Sequence, residues 1–315
     1  MDINASDAKL QDIPIDKIDR NKENPRLLFR PREMEELLES IRVYGVQVPI
    51  SVYREGGRYT LIDGERRWLC CKKLNKRTIP ALIQREPDPL TNLLLMFNIH
   101  ALREQWDLIT IAMKLPRIVE LLTRELKKEP TERELAEKTG LKQGVIRRCK
   151  LLLGLPKQYR QQILAELNKP KAQQKVTEDL FIEMERALKT VERALPQLID
   201  DKDRVRHVLL EKYKSGIIDN RVHFRNVAKI ARAENVGADI NKASRVLLKL
   251  FEKNNYSIER AYSDSVSEAY SEREVSTRAN SLIQMLEGID IDEIEDDAKA
   301  ALLALYARLR ELLEQ

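Results

Sequence analysis

Apolar and polar positions alternate near the start of the chain, where Ile13-Pro14-Ile15 and Ile18 predict a first short strand. A turn follows over Asn21–Pro25, with Arg26 just beyond it. Met34, Leu37, Leu38 and Ile41 then recur at helical spacing, and Gly45 closes that helix. Ile50-Ser51-Val52-Tyr53 and Arg58-Tyr59-Thr60-Leu61-Ile62 flank Glu55-Gly56-Gly57, the pattern of a hairpin. A short helix is expected over Trp68–Leu74 and another strand over Thr78–Ile83. Together these elements predict a small mixed α/β domain whose loops around Arg26, Gly45 and Gly64 could converge.

From Leu90 onward the period is helical. Leu93, Leu94, Phe97, Leu102, Ile109, Ile111 and Leu115 predict packed helices up to Pro116. Pro130–Gly140 carries helix-start and helix-stop chemistry: Thr131 as cap, Glu134 to close a capping box, Gly140 to terminate. Val145, Ile146, Cys149, Leu152 and Leu153 then bury one face of a second helix, giving a helix-turn-helix layout. Lys169–Lys175 is polar and basic and reads as a hinge. Helical spacing resumes with Phe181, Met184, Leu188, Val191 and Leu195. Arg221–Arg232 is a basic amphipathic segment, Ala261–Ser276 a loop or weak helix, and Asp290–Asp297 an acidic, solvated stretch. Leu302, Leu305, Leu309 and Leu312 form a seam on the last helix that suits a dimer contact or an ordinary packed helix equally. The fold class expected is α+β and mostly helical. It divides into a mixed α/β domain over residues 1–89, a helical linker with the helix-turn-helix over 90–168, and an all-α region over 169–315.

Composition supports that class: 34% of residues are charged and 5% aromatic, a highly solvated helical balance. Net charge is only +5, so any nucleic-acid footprint has to be a local patch. No apolar run reaches membrane-spanning length and Met1-Asp2-Ile3-Asn4 lacks a signal-peptide pattern, so a cytoplasmic chain is expected. Cys70, Cys71 and Cys149 provide neither a disulfide framework nor zinc spacing, and His100, His207 and His223 are scattered.

Two stretches carry chemistry. Gly64-Glu65-Arg66-Arg67 lies between a strand and a helix. Glycine there allows close backbone approach, the first helical turn offers unpaired N–H groups, and two guanidinium forks add full charge. That is an anion site, suited to phosphate. In the second helix of the helical pair, Lys142, Arg147, Arg148 and Lys150 stand with no acid between Lys142 and Leu153. Gln143, Arg147 and Lys150 point away from its apolar face, where Gln can pair with adenine and Arg with guanine. Arg148, to the side, suits phosphate. Lys142 occupies the cap position, where a cation opposes the helix dipole.

The box Gly64–Arg67 resembles the GERR box of the N-terminal domain of ParB/Spo0J partition proteins. The resemblance extends to Asn24-Pro25-Arg26, Gly45-Val46-Gln47-Val48-Pro49-Ile50, Ile79-Pro80-Ala81-Leu82-Ile83 and Leu152-Leu153-Gly154-Leu155-Pro156, covering roughly residues 10–165. It implies CTP, with the triphosphate against Gly64, Glu65, Arg66 and Arg67, the base and sugar along Gly45–Pro49, and Arg26 nearby. It also implies Mg2+, held in the family by a Glu-Asn-x-x-Arg motif. Here Phe97, Asn98, Ile99, His100 and Ala101 stand at those positions, so only Asn98 is kept. Val48 replaces the usual Gln, and Leu69 and Cys70 the usual Arg and Ala. The resemblance implies a homodimer that recognises a palindromic duplex, a CTP-gated clamp, slow CTP hydrolysis at most, and a partition ATPase as partner. A site-specific transcriptional regulator with a non-hydrolysing domain is the alternative, and a phosphotransfer enzyme or nuclease on the same fold a further one.

Overall fold

The computed structural model describes residues 9–24, 29–101, 107–289 and 294–314, with the side chains of residues 98–101 outside that description. The chain packs as two compact units, Met1–Arg186 and Ala187–Gln315.

The alternating segments of the first unit pair into one five-stranded sheet. Its strands are β1 (Lys9–Pro14), β2 (Ile18–Asp19), β3 (Ile50–Glu55), β4 (Arg58–Asp63) and β5 (Thr78–Gln84), in the order β1-β5-β3-β4-β2. β1 runs antiparallel to β5, β5 parallel to β3, β3 antiparallel to β4, and β4 parallel to β2. The turn at Gly56 and Gly57 closes the expected hairpin, and both glycines have positive φ. Side chains that point to one face build the core: Ile13, Ile50, Val52, Leu61, Ile79 and Ala81 are buried together with Ile41 and Trp68 from two helices. Those helices are α1 (Pro31–Tyr44) and α2 (Glu65–Lys73), which pack against each other. Trp68 also donates its indole N–H to the Ile15 carbonyl at 3.3 Å, pinning α2 to the turn that follows β1. The helix begins at Glu65, three residues earlier than its apolar positions indicate, because Gly64 turns the chain into it directly.

Helices α3 (Pro89–Ala101), α4 (Leu108–Leu126), α5 (Glu132–Thr139), α6 (Gln143–Leu153) and α7 (Lys157–Leu167) follow. α4 continues through Pro116, which the sequence pattern had as its limit. Proline removes one helical donor, yet Ile109, Ala112, Leu115, Ile118 and Leu122 keep one face buried on both sides of it. The hinge expected at 169–175 is instead a fastened turn. The buried Glu166 carboxylate accepts from the Lys175 amide at 2.5 Å and the Lys169 ammonium at 2.7 Å. Gln174 donates to the Lys169 carbonyl at 2.8 Å. The next helix, α8 (Glu178–Ala194), contains the limit between the units.

In the second unit, α9 (Lys202–Lys214), α10 (Phe224–Ile230), α11 (Ile240–Glu252) and α12 (Ile258–Ser263) enclose Leu209, Phe224, Val227, Leu247, Leu250 and Ile258. Lys212 is buried there and donates to the Leu250 and Tyr256 carbonyls, a cation at the C-terminal end of α11. Desolvation pulls its pKa down to about 8. α13 (Ser267–Glu287) and α14 (Asp296–Leu313) close the chain and bury no residue fully. The Ala261–Ser276 stretch is thus helical apart from a short turn. The architecture is α+β and mostly helical, as the sequence pattern predicts.

Candidate nucleotide and nucleic-acid sites

Gly64 adopts the left-handed conformation at φ 97°. A Cβ there would lie 2.6 Å from Ile50 Cγ2 and 3.2 Å from Arg67 Cζ. The glycine therefore serves internal packing as well as the turn, so its presence alone does not show a ligand contact. With no side chain at this position, nothing caps the first turn of α2 from the N-cap, and its amides keep their partial positive charge for an anion.

Glu65 is 9% exposed and faces inward. It accepts from the side-chain amide of Asn24 and pairs with the Arg20 guanidinium. Asn24 belongs to the Asn24-Pro25-Arg26 match, whereas Arg20 has no sequence signal: it sits immediately before the turn, with nothing in its spacing to mark it. Arg20 also lines a cavity of about 550 Å³ at the sheet edge, with Asn21, Arg58, Asn92 and Arg117 among its walls.

The two arginines of the box differ. Arg67 donates to the Val48 carbonyl at 2.5 Å, the Pro49 carbonyl at 2.6 Å and the Asp63 carboxylate at 2.9 Å, and is 18% exposed. It ties the Gly45–Pro49 loop to the box, bringing together two segments that the sequence placed at one site. Gly45, at φ 74°, ends α1 at the start of that loop. Arg66 is more open, at 26% exposure. It donates to the Glu33 carbonyl at 2.9 Å and lies 3.4 Å from the Glu33 carboxylate. A single half-exposed carboxylate is a modest competitor for a polyphosphate. The first turn of α2 and Arg66 fit an anionic phosphate group.

The Mg2+ expectation finds no such support. Phe97 is fully buried in α3, at the position where the family's motif has its acid, and a phenyl ring provides no oxygen for a hard cation. Arg26 lies outside the described residues, and of Asn98 only the backbone, in α3, is described.

α5 opens with the full capping box. The Thr131 hydroxyl accepts from the Glu134 amide at 3.2 Å, and the Glu134 carboxylate accepts from the Thr131 amide at 2.8 Å. The Lys128 ammonium and these Thr131 donors hold the Glu134 pKa down at about 2. Gly140, left-handed at φ 72°, ends the helix. α6 then packs on both α5 and α4 through the buried Ile146, Cys149 and Leu152. Burial pushes the Cys149 thiol up to about 12, so it is an inert core group. Lys142 stands at the N-cap without a side-chain cap bond.

The outward face of α6 has an acid opposite it. Glu132 of α5 accepts from Arg147 at 2.9 Å and from Lys150 at 3.4 Å, and these bonds, Arg147 first, hold its carboxyl below the usual range. Gln143 accepts weakly from Arg147 at 3.4 Å. Arg148 points elsewhere, to Asp179 at 2.5 Å. Gln143, Arg147 and Lys150 therefore form one row and Arg148 stands apart, as the helical wheel predicts. Glu132 lies eleven residues upstream of that row, beyond the reach of a one-helix reading.

Residues 2–98 match the ParB N-terminal domain. The chain is 28% identical over 249 residues to a nucleoid occlusion protein of Bacillus pumilus, spanning 74% of this chain and 82% of that one. It is 33% identical over 156 residues to a probable chromosome-partitioning protein ParB of Pseudomonas putida, covering 49% of this chain and 51% of that protein. A solved pNOB8-like ParB N-domain shares the fold over 81% of this chain and 94% of its own, with a TM-score of 0.50 at 20% identity.

Proposed function

We propose that this chain, a ParB-type protein by the domain that fills residues 2–98, holds a nucleoside triphosphate at the mouth of α2 and duplex DNA on α6. The observation that carries this reading is the pairing, within one compact unit, of an uncapped helix N-terminus beside Arg66 with a cationic row on a two-helix module. CTP is the nucleotide that the family resemblance implies. Its phosphates would meet the first-turn amides of α2 and draw Arg66 off Glu33. Gly64 and Glu65 shape the turn, and Arg67 holds the Gly45–Pro49 loop at the site's edge. Arg26 and Asn98 belong to this proposal by sequence position alone.

On the DNA side, Gln143, Arg147 and Lys150 would face the major groove, with Lys142 and Arg148 toward phosphates. Two copies related by a two-fold would read a palindromic site. Residues 1–89 would act as the nucleotide-binding segment, 90–168 as the DNA-binding segment and 169–315 in dimerisation or partner binding. Nucleotide binding would bias two protomers toward a closed arrangement on DNA, as it can only if it binds that arrangement more tightly. The process served is chromosome or plasmid partition. Phe97 favours a second reading in which the nucleotide is held without hydrolysis and the protein is a site-specific regulator. Equal release from DNA with CTP and a non-hydrolysable analogue would select that one.

The test of the DNA proposal is anisotropy with a palindromic duplex selected from a random pool. Tight, salt-sensitive binding to the selected site is expected, with Gln143→Ala and Arg147→Ala each eroding its preference over unrelated duplex by about 1–3 kcal/mol. A selected site bound equally well by both variants would remove α6 as the reader.

A further inference from the structure

We propose that Asp219, His223 and Glu259 form a divalent-cation site in the second unit. Asp219 lies in the turn after α9, His223 four residues on, just before α10, and Glu259 in the first turn of α12. His223 Nδ1 is 3.1 Å from Asp219 Oδ1 and in contact with Glu259 Oε1. One ligand atom from each residue lies within 4.8 Å of the others.

Alignment and charge point to a metal rather than to a simple ion pair. His223 Nδ1 is buried, yet it makes a hydrogen bond with neither carboxylate. A ring nitrogen this close to two carboxylates without an aligned bond to either can instead share a cation with them. Two carboxylates beside one imidazole are also a donor set whose charge a dication suits.

Bonds of about 2.0–2.2 Å in a tetrahedral shell set ligand atoms roughly 3.3–3.6 Å apart, so the cluster closes on a cation with side-chain shifts of about 1 Å, the Glu259 carboxylate drawing back from Nδ1. One imidazole nitrogen and two carboxylate oxygens, without thiolate, suit Zn2+ or Mn2+, with water completing the shell. The cation would join the turn that leads into α10 to the start of α12. The start of α13 is already held to the same region, through Tyr270 to the Lys229 carbonyl at 3.4 Å and Arg273 to the Asn235 carbonyl at 2.7 Å. The site would thus fix the base on which α13 stands. Asp219 and His223 are spaced i, i+4 in the sequence, but Glu259 is supplied only by the fold.

The test uses the full chain, stripped with chelator and titrated with Zn2+ and, separately, Mn2+ by calorimetry and thermal unfolding. One equivalent of at least one metal should bind saturably and raise Tm. His223→Asn and Glu259→Gln should each weaken binding about tenfold or more and remove the rise in Tm. His207→Asn, on α9, should change neither. If His223→Asn fails to fold, Glu259→Gln, at a half-exposed carboxylate, still decides. No saturable binding to the wild type, binding unchanged in the cluster variants, or binding lost in His207→Asn would each overturn the site.

Discussion

Arg66 and Arg67 are adjacent in sequence and opposite in circumstance, and the difference sets what each can do. Arg67 spends its donors on two loop carbonyls and one carboxylate. Its acceptors are exposed or half-buried, so Arg67→Ala should lower stability by about 1 kcal/mol in denaturant unfolding, besides loosening the Gly45–Pro49 loop. Arg66 has one carbonyl and one half-exposed acid for partners. Arg66→Ala should leave stability nearly unchanged in the same experiment and act on ligand affinity instead. Removing its competitor by Glu33→Gln should strengthen nucleotide binding severalfold in calorimetry. Unchanged or weaker binding would mean that Arg66 does not move to the ligand. Glu132 plays the matching part on the DNA side. Glu132→Gln should raise duplex affinity in anisotropy, because Arg147 and Lys150 no longer have to leave a carboxylate. Sequence could show that Arg66 and Arg67 carry charge at a helix start. It could not show which of them was already bonded, since Val48 and Pro49 come from a distant loop.

At the scale of elements, what was legible is what local chemistry controls. The Thr131–Glu134 box, the Gly140 stop and the Gly45 stop follow from residues within four positions of one another, and each is present. Thr131→Ala should therefore cost about 1 kcal/mol. Glu134 also gives a pH signature. Its folded pKa lies below its ordinary value of 4.5, so its contribution is present above pH 4.5 and is lost as pH falls toward about 2. Features set by distant partners were not legible. α4 survives Pro116 because its buried face extends past the proline, and the expected hinge is closed by Glu166. Glu178 is the sharpest case. It lies at the start of α8 and accepts from the Ile109 amide in the first turn of α4 at 2.6 Å, acting as a cap from a remote position. Burial raises its pKa from 4.5 to about 6. The folded state thus holds this proton more firmly than the unfolded chain. Stability from this group is greatest below pH 4.5 and falls as pH rises through about 6, by roughly 2 kcal/mol. Glu178→Gln should remove that slope from a pH series of unfolding curves.

For the whole molecule, the sheet domain and the helical pair are continuous in one compact unit, and the C-terminal helices form another. The mixed sheet and the helical remainder were readable because β-alternation and helical periodicity separate cleanly near residue 90. The cation cluster at His223 was not, because its ligands come from separate elements. Net charge of +5 over 315 residues keeps nonspecific attraction modest, so DNA affinity should depend on the few cations of α6 and fall steeply with salt. No helix among the described residues is long and apolar enough to cross a membrane. The central claim is that a polyphosphate is gripped at the mouth of α2 by Arg66, separately from the DNA reader. Calorimetry of CTP, ATP, GTP and UTP against wild type and Arg66→Glu, each with and without the selected duplex, tests it most directly. Saturable binding of CTP by the wild type, its loss in Arg66→Glu, and retained duplex binding by that variant are the predicted result. Normal CTP binding by Arg66→Glu, or no triphosphate bound by the wild type in either condition, would contradict it.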